Sequence, residues 1–189
     1  MFGIVDKDKI IDGSKIQEGD VVISLESSGV HTNGYTLVRK IMKEYPEVLD
    51  KKVGDKTFVE AILEPHRCYY TTIKDLFQDE TITGLAHITG GGICENLNRI
   101  LPQDVDAEID ASKYQILDIF KLIKRTGNVD EKEMLRTFNL GVGLTVVCRP
   151  ENKEKIINHV KANGINAYEI GKIVKGNKQV NVVGEFEWE

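Results

Sequence analysis

The chain has 189 residues, 41% of them hydrophobic, and a formal net charge of −5. That length suits one domain with its own core, and the acidic balance with interspersed lysines excludes the basic field that holds DNA, RNA or an anionic membrane. Its three cysteines, Cys68, Cys94 and Cys148, are far apart and form no Cys-x-x-Cys pair, which argues against a disulfide framework or a zinc site and for a reducing compartment. No stretch approaches the roughly 20 apolar residues of a membrane span, and the start Met-Phe-Gly-Ile-Val-Asp lacks a basic region followed by an apolar run. The expectation is a soluble, cytoplasmic protein with no nucleic-acid and no membrane partner.

In chain order, the alternation over Phe2–Ile11 predicts a strand broken by the charged turn Asp6–Lys9, an odd first element because nothing precedes it as a partner. A polar connector over 12–20 leads to a short strand, Val21–Leu25. The small, hydroxyl-rich loop Glu26–Gly34 follows, and then a helix over Tyr35–Tyr45, with apolar residues at 38, 41, 42 and 45 and Pro46 after its end. Residues 46–57 read as a charged surface connection. Pro65 suits the first turn of a helix running to about Phe77.

At the centre, the β-branched run Thr81–Ala86 predicts a buried strand that enters His87-Ile88-Thr89-Gly90-Gly91-Gly92, and a helix over Ile93–Leu101 leaves it before Pro102. Strand, glycine turn and helix start present free backbone N–H groups to an anion, although the stretch is neither a Walker loop nor Gly-x-Gly-x-x-Gly. A plain tight turn that needs positive φ is the competing reading. Downstream come a short strand at Asp106–Asp110, an apolar helix over Gln115–Arg125 with Gly127 after it, and a short helix from about Asp130 to Arg136 with Asp130 as cap. A third glycine loop, Thr137–Gly143, runs into a strand at Leu144–Cys148. Pro150 opens a helix over Lys153–Asn163 that Gly164 ends, and Ala167–Val174 with Gln179–Phe186 predicts a hairpin. Ile116, Phe120 and Ile157 are expected in the core. The whole reads as an α/β (α+β) domain, a layered mixed sheet with flanking helices.

Three loops at strand ends, each mixing glycine with hydroxyl, amide or imidazole groups, are the form in which such sheets bind ligands. Their residues carry a resemblance: Ser27-Ser28-Gly29-x-His31-x-Asn33-Gly34-Tyr35-x-Leu37-Val38-Arg39-Lys40, Leu63-Glu64-Pro65-x-Arg67, Ala86-His87-Ile88-Thr89-Gly90-Gly91-Gly92, and Gly127-Asn128-Val129 with Glu133-Met134-x-Arg136-Thr137-Phe138-Asn139-x-Gly141-Val142-Gly143. In this order they resemble the aminoimidazole ribonucleotide synthetase (phosphoribosylformylglycinamidine cyclo-ligase) family, over nearly the whole chain. His66 stands where that family usually has a small residue, and Leu144 where methionine is common.

The resemblance implies the C-terminal domain of an enzyme that uses ATP to phosphorylate the formyl-amide oxygen of formylglycinamidine ribonucleotide, after which an amidine nitrogen closes the imidazole ring. It implies residues 1–11 as the last strand of an N-terminal domain outside this chain and 12–189 as the C-terminal domain. The N-terminal domain would form the homodimer and supply most contacts to ATP and Mg2+, so this chain is expected to be inactive alone. His31 is the catalytic candidate, on the ground that imidazole titrates near neutral pH and the residue sits in a Gly/Ser loop. Ser27, Ser28, Gly29, Asn33, Gly34, Thr89, Gly90, Gly91, Gly92, Arg136, Asn139 and Gly141 are candidates for substrate or phosphate contact, Arg136 through its guanidinium fork. No metal ligand is assigned, since His31 and His87 lack a third partner at useful spacing. The alternatives are a related enzyme of the selenophosphate synthetase or thiamine-phosphate kinase type, or a non-catalytic module that binds a phosphorylated metabolite.

Overall fold

A computed structural model describes residues 4–77 and 81–189. Strand β1 (Val21–Glu26) leads through a loop to helix α1 (Tyr35–Glu44), which starts at the left-handed Gly34. The minimal strands β2 (Lys52–Val53) and β3 (Lys56–Thr57) pair before α2 (Phe58–Ile62), whose start is a capping box. There the Thr57 hydroxyl accepts from the Glu60 N–H while the Glu60 carboxylate accepts from the Thr57 N–H. Then come α3 (Tyr70–Ile73), β4 (Gly84–His87), α4 (Gly92–Asn98), β5 (Val105–Asp110), α5 (Asp118–Gly127) and α6 (Glu131–Thr137). The chain closes with β6 (Val142–Cys148), α7 (Lys153–Ala162), β7 (Ala167–Lys175) and β8 (Val180–Val183).

Six strands form one sheet in the order β4-β6-β1-β7-β5-β8, antiparallel except for β5 with β8. Period-two alternation sends Val22, Val147, Ala107 and Ile109 to one face and Ile23, Leu25, Leu144 and Val146 to the other. The first face is covered by apolar residues of α1, α2, α4, α5 and α6, and the second by those of α3 and α7. Phe58, Phe120 and Phe138 are fully buried in the first layer, and each contributes roughly 1.5–3 kcal/mol by leaving water. β6 is buried along its whole length, as a strand covered on both faces must be. The layered α/β architecture, the helix with Asp130 as its cap, and the core places of Ile116, Phe120 and Ile157 agree with expectation.

Four expectations are corrected. The strand expected over Phe2–Ile11 is not formed over residues 4–11. Positions 2 and 3 lie outside the described residues, and 4–11 hold only a 3-10 turn, Lys7–Lys9, with Ile4, Val5 and Ile10 exposed. A strand needs a hydrogen-bonded neighbour, and among the described residues no strand pairs with 4–11. The helix from Pro65 to Phe77 shrinks to α3 and a 3-10 turn, Lys74–Leu76; residues 64–69 take no regular structure, and Tyr69 is buried in the core. The apolar helix starts later, at Asp118, and takes in Gly127 as its last residue; the residue that caps it is Asn128, in the left-handed conformation that an asparagine tolerates. The hairpin of β7 and β8 does not exist, since β5 lies between them. Their connection instead wraps the Asp106 carboxylate, which accepts from the N–H groups of Asn177 and Gln179, both at 2.7 Å. Those bonds hold the Asp106 carboxyl below its ordinary pKa.

Candidate functional site

The three glycine loops meet at one edge of the sheet because β4, β6 and β1 are neighbours. Glu26, at the end of β1, pairs with Val142 at the start of β6, and His87, at the end of β4, pairs with Leu144. Asn139 fastens the first loop to the third. Its Oδ1 accepts from the Ser27 hydroxyl (2.9 Å) and the Gly141 N–H (2.8 Å), and its Nδ2 donates to the Gly29 carbonyl (3.0 Å). Ser27 N–H donates to the Gly141 carbonyl at 2.8 Å. Leu140, at φ 53, sits in the left-handed region that bulky residues avoid, and this lattice of bonds holds it there.

The triple-glycine loop is fastened in the same way. Gly91 N–H donates to the Arg136 carbonyl (2.8 Å) and Gly92 N–H to that of Thr89 (3.0 Å). The Asn96 amide donates to the carbonyls of Gly92 (2.7 Å) and Gly90 (3.2 Å), while the Thr89 hydroxyl donates to Asn96 Oδ1 at 3.0 Å. Gly92, at φ 62, must be glycine, because a Cβ there would run into the Leu135 carbonyl. A Cβ on Gly91 would meet the Glu95 carboxylate, so an acidic side chain lies over the glycines that sequence reading gave to a phosphate. Two of the N–H groups expected to face an anion are therefore spent inside the fold, and the tight-turn reading accounts for Gly91 and Gly92 without a ligand.

The expected residues divide by access. Ser27, Gly29, His31, Gly92, Asn139 and Gly141 are buried and build the loops. Ser28, Asn33, Gly34, Thr89 and Gly91 are half-buried, and Gly90 and Arg136 are exposed. Ser28 and Gly29 border a cavity of about 240 Å³ with Lys56, Glu64 and Asp118. Gly91 and Arg136 border another of about 250 Å³, where Arg136 is engaged by Glu133 at 2.9 Å.

His31 departs most from expectation. It is 3% exposed at φ 58, and its Nε2 accepts from the Ser28 N–H at 3.1 Å. Nδ1 is buried with no hydrogen-bond partner among the described residues. Burial first, then the neighbouring His66, His87 and Arg67, pushes its pKa down to about 3. His31 is therefore a neutral ring at pH 7 and does not titrate near neutrality. His66 stacks on it, with ring centroids 4.0 Å apart and 17° between planes. His66 Nε2 lies 3.1 Å from His87 Nε2, and Thr32 Oγ1 is 3.5 Å from His66 Nδ1. His87 is exposed. Burial lowers its pKa, and so does His66. Tyr69 closes the group from below, its hydroxyl donating to the Glu26 carbonyl at 2.9 Å; burial pushes its phenol up. Gly143 has no side chain because a Cβ would strike the Tyr69 hydroxyl and the His31 ring.

Sequence reasoning missed His66, Asn96 and Tyr69. For His66 the signal was present, a histidine where the resembled family has a small residue. For Asn96 it was a polar residue on the inward side of a short helix.

Comparison with known proteins bears on this arrangement. Phosphoribosylformylglycinamidine cyclo-ligase of Pseudothermotoga lettingae is 44% identical over 180 residues, covering 94% of this chain and 53% of the relative. That of Chromobacterium violaceum is 45% identical over 172 residues, covering 90% and 50%. The chain thus spans about half the length of the curated relatives it matches. Among solved structures, thiamine-monophosphate kinase from Stenotrophomonas maltophilia superposes with a TM-score of 0.63 at 14% identity, over 97% of this chain and 56% of that one. The E. coli hydrogenase maturation protein HypE gives 0.59 at 17%, over 91% and 48%. At such identities the likeness is one of fold. The family described as AIR synthase related protein, C-terminal domain, matches residues 17–184, and with its three loops converging on one sheet edge the chain belongs to that family.

Proposed function

We propose that the chain is the C-terminal domain of an ATP-dependent cyclo-ligase that converts formylglycinamidine ribonucleotide to aminoimidazole ribonucleotide in purine biosynthesis, and that it is inactive alone. The observation that carries this reading is the 44–45% identity to relatives of that name over at least 90% of the chain. In the proposal, Ser28, Asn33, Thr89, Gly90 and Arg136 face the ribonucleotide and its phosphate. Ser27, Gly29, Gly34, Gly91, Gly92, Asn139 and Gly141 hold the loops that present them. His31 serves as a neutral hydrogen-bonding ring at the floor of the cleft, since its low pKa unfits it as a proton donor near pH 7.

The donor set argues about the metal. Among the described residues the cluster with metal-ligand spacing consists of imidazoles, whereas Mg2+ takes oxygen ligands. Mg2+ and most ATP contacts are therefore assigned to an N-terminal domain, whose sheet residues 1–11 would complete and whose pairing would make the homodimer, in the cytoplasm. Any stabilisation of the phosphoryl oxygens by Mg2+ would come from there.

The test is to assay residues 1–189 for formylglycinamidine ribonucleotide-dependent ATP hydrolysis with Mg2+, alone and mixed with a separately expressed N-terminal domain. Turnover is expected only on mixing. Turnover by the chain alone, or none in either sample while the chain binds the ribonucleotide, would overturn the split-site reading.

A further inference from the structure

We propose that His31, His66 and His87 form a binding site for one divalent transition-metal ion of the zinc, cobalt, nickel or copper kind, separate from any Mg2+ used with ATP. Two of the imidazoles come from separate loops and the third, His87, from the end of β4, and one ring nitrogen of each lies within 4.8 Å of the others. Two nitrogens bound to one tetrahedral ion at zinc–nitrogen distance stand about 3.3 Å apart. His66 Nε2 and His87 Nε2, hydrogen-bonded to each other at 3.1 Å, already stand near that spacing, and an ion would take the place of the shared proton. An independent observation points the same way: His31 Nδ1, on a residue only 3% exposed and stacked on His66, is buried with no hydrogen-bond partner among the described residues. A buried polar atom left unmatched costs on the order of 1–3 kcal/mol, and such atoms in a native fold mark a ligand or a function. Imidazole nitrogen selects borderline metals over Mg2+ or Ca2+, and three histidines leave a fourth position for water.

The arrangement also dictates what must move. The rings of His31 and His66 are nearly parallel, so no ion can lie in the planes of both. His66 is half-buried, and rotation about its Cβ–Cγ bond, a broad two-fold torsion, frees its lone pair. In the present pose the Thr32 hydroxyl lies 3.5 Å from His66 Nδ1, a neighbour suited to the Nδ1–H tautomer that leaves Nε2 for the metal. His31 can offer only one lone pair while neutral. Whether that pair is on Nδ1 or Nε2, giving it to a metal takes it from the Ser28 N–H that now donates to Nε2. Metal uptake therefore breaks the Ser28–His31 hydrogen bond. Arg67 acts on His31 as a positive charge and works against the cation, which limits the affinity.

The experiment uses the 189-residue chain after dialysis against a chelator, titrated with Zn2+ in competition with a chromophoric chelator and with Co2+ followed in the visible. One equivalent is expected, with the intense bands of four-coordinate Co2+. His66→Gln and His87→Gln should each weaken Zn2+ by at least roughly 10-fold, the low end of what even outer-sphere changes cost. His159→Gln, which alters the only other histidine, should change nothing. The backbone amide of Ser28 should shift on Zn2+ addition. Circular dichroism checks that each variant is folded, and since His66 and His87 lie outside the core, at least one is expected to be. Absence of stoichiometric binding, an unchanged affinity in both folded variants, or dependence on His159 would overturn the site.

Discussion

The same three strands, β4, β6 and β1, end in two different ways. At one end Asp20 precedes β1, Thr83 precedes β4 and Arg149 follows β6. The Asp20 side chain is 1% exposed, and its carboxylate takes the Arg149 guanidinium at 2.5 Å, the Thr83 hydroxyl at 3.1 Å and the Gln17 N–H at 3.2 Å. Arg149 spends a second nitrogen on the Lys15 carbonyl at 3.0 Å. At the other end stand His31 and Leu140 in left-handed conformation, a ring nitrogen without a partner, and a half-buried histidine stacked over it. A closed polar network fixes one geometry, whereas strained backbone and an unmatched donor persist only where surrounding structure holds them. The contrast teaches where the sheet is anchored and where it is kept ready for a ligand.

Breaking the anchored end should have the largest effect. Asp20→Ala takes the carboxylate from the Arg149 guanidinium, leaving it the Lys15 carbonyl, and leaves the Thr83 hydroxyl only the Val147 carbonyl; the expected loss is about 3–5 kcal/mol in urea unfolding, the range for one partner removed from a buried pair. Where the variant still folds, the Ser28 and His31 resonances should stay in place, because the change is at the far end of the strands. A loss below about 1 kcal/mol would demote the network to a surface pair.

Breaking the loop lattice should cost somewhat less and act locally. Asn139→Ala removes three hydrogen bonds; the Gly141 N–H loses the side-chain acceptor that holds it, while the Ser27 hydroxyl and the Gly29 carbonyl are left with each other at 3.2 Å. We expect about 2–3 kcal/mol of stability to go, at roughly 1 kcal/mol per bond. Here, unlike at the anchored end, the Ser28 and His31 resonances should move, and hydrogen exchange should speed up in residues 27–34. A variant with unaltered exchange there would show that Asn139 does not hold the first loop.

Much of this contrast was legible in the sequence, and the parts that were not share a cause. Helical spacing at 38, 41, 42 and 45 and the Asp130 cap give α1 and α6 because both are local signals. The hairpin of β7 and β8 failed because a glycine turn between two apolar runs carries no record of a third strand. Only the Asp106 carboxylate, far upstream, shows that β5 lies between them. The three loops could be named from their glycines and polar groups, but not sorted into buried braces and accessible contacts. Asn139 and Asn33 look alike in sequence, and their difference lies in what the fold places opposite each. His31 was chosen for a titration that burial abolishes.

That abolished titration supplies the smallest but most diagnostic test. Unfolded, His31 protonates with the ordinary histidine pKa of 6.5; in the fold, burial pushes this down to about 3. Between those values the unfolded chain carries a proton that the folded chain refuses, so acid favours unfolding. The stability that His31 contributes is fully present above pH 6.5. It falls as pH drops, by at most about 1.4 kcal/mol per pH unit, and levels off only near the folded pKa. The carboxylates held low by hydrogen bonds act the same way, Glu60 and Glu169 around their unfolded value of 4.5 and Asp106 and Asp110 around 3.8, but they are common to wild type and a His31 variant and cancel between the two. His87 also titrates low in the fold and adds to the slope over the same pH range as His31, so the wild-type curve alone does not isolate His31. His31→Asn does, because asparagine tolerates the left-handed backbone at φ 58 and leaves His87 in place. Wild type should lose on the order of 2 kcal/mol more than His31→Asn between pH 6.5 and 4.5, read from urea midpoints at constant ionic strength. Parallel curves for the two proteins would mean that His31 accepts a proton in the folded state, and the neutral, metal-ready ring at the floor of the cleft would have to be given up.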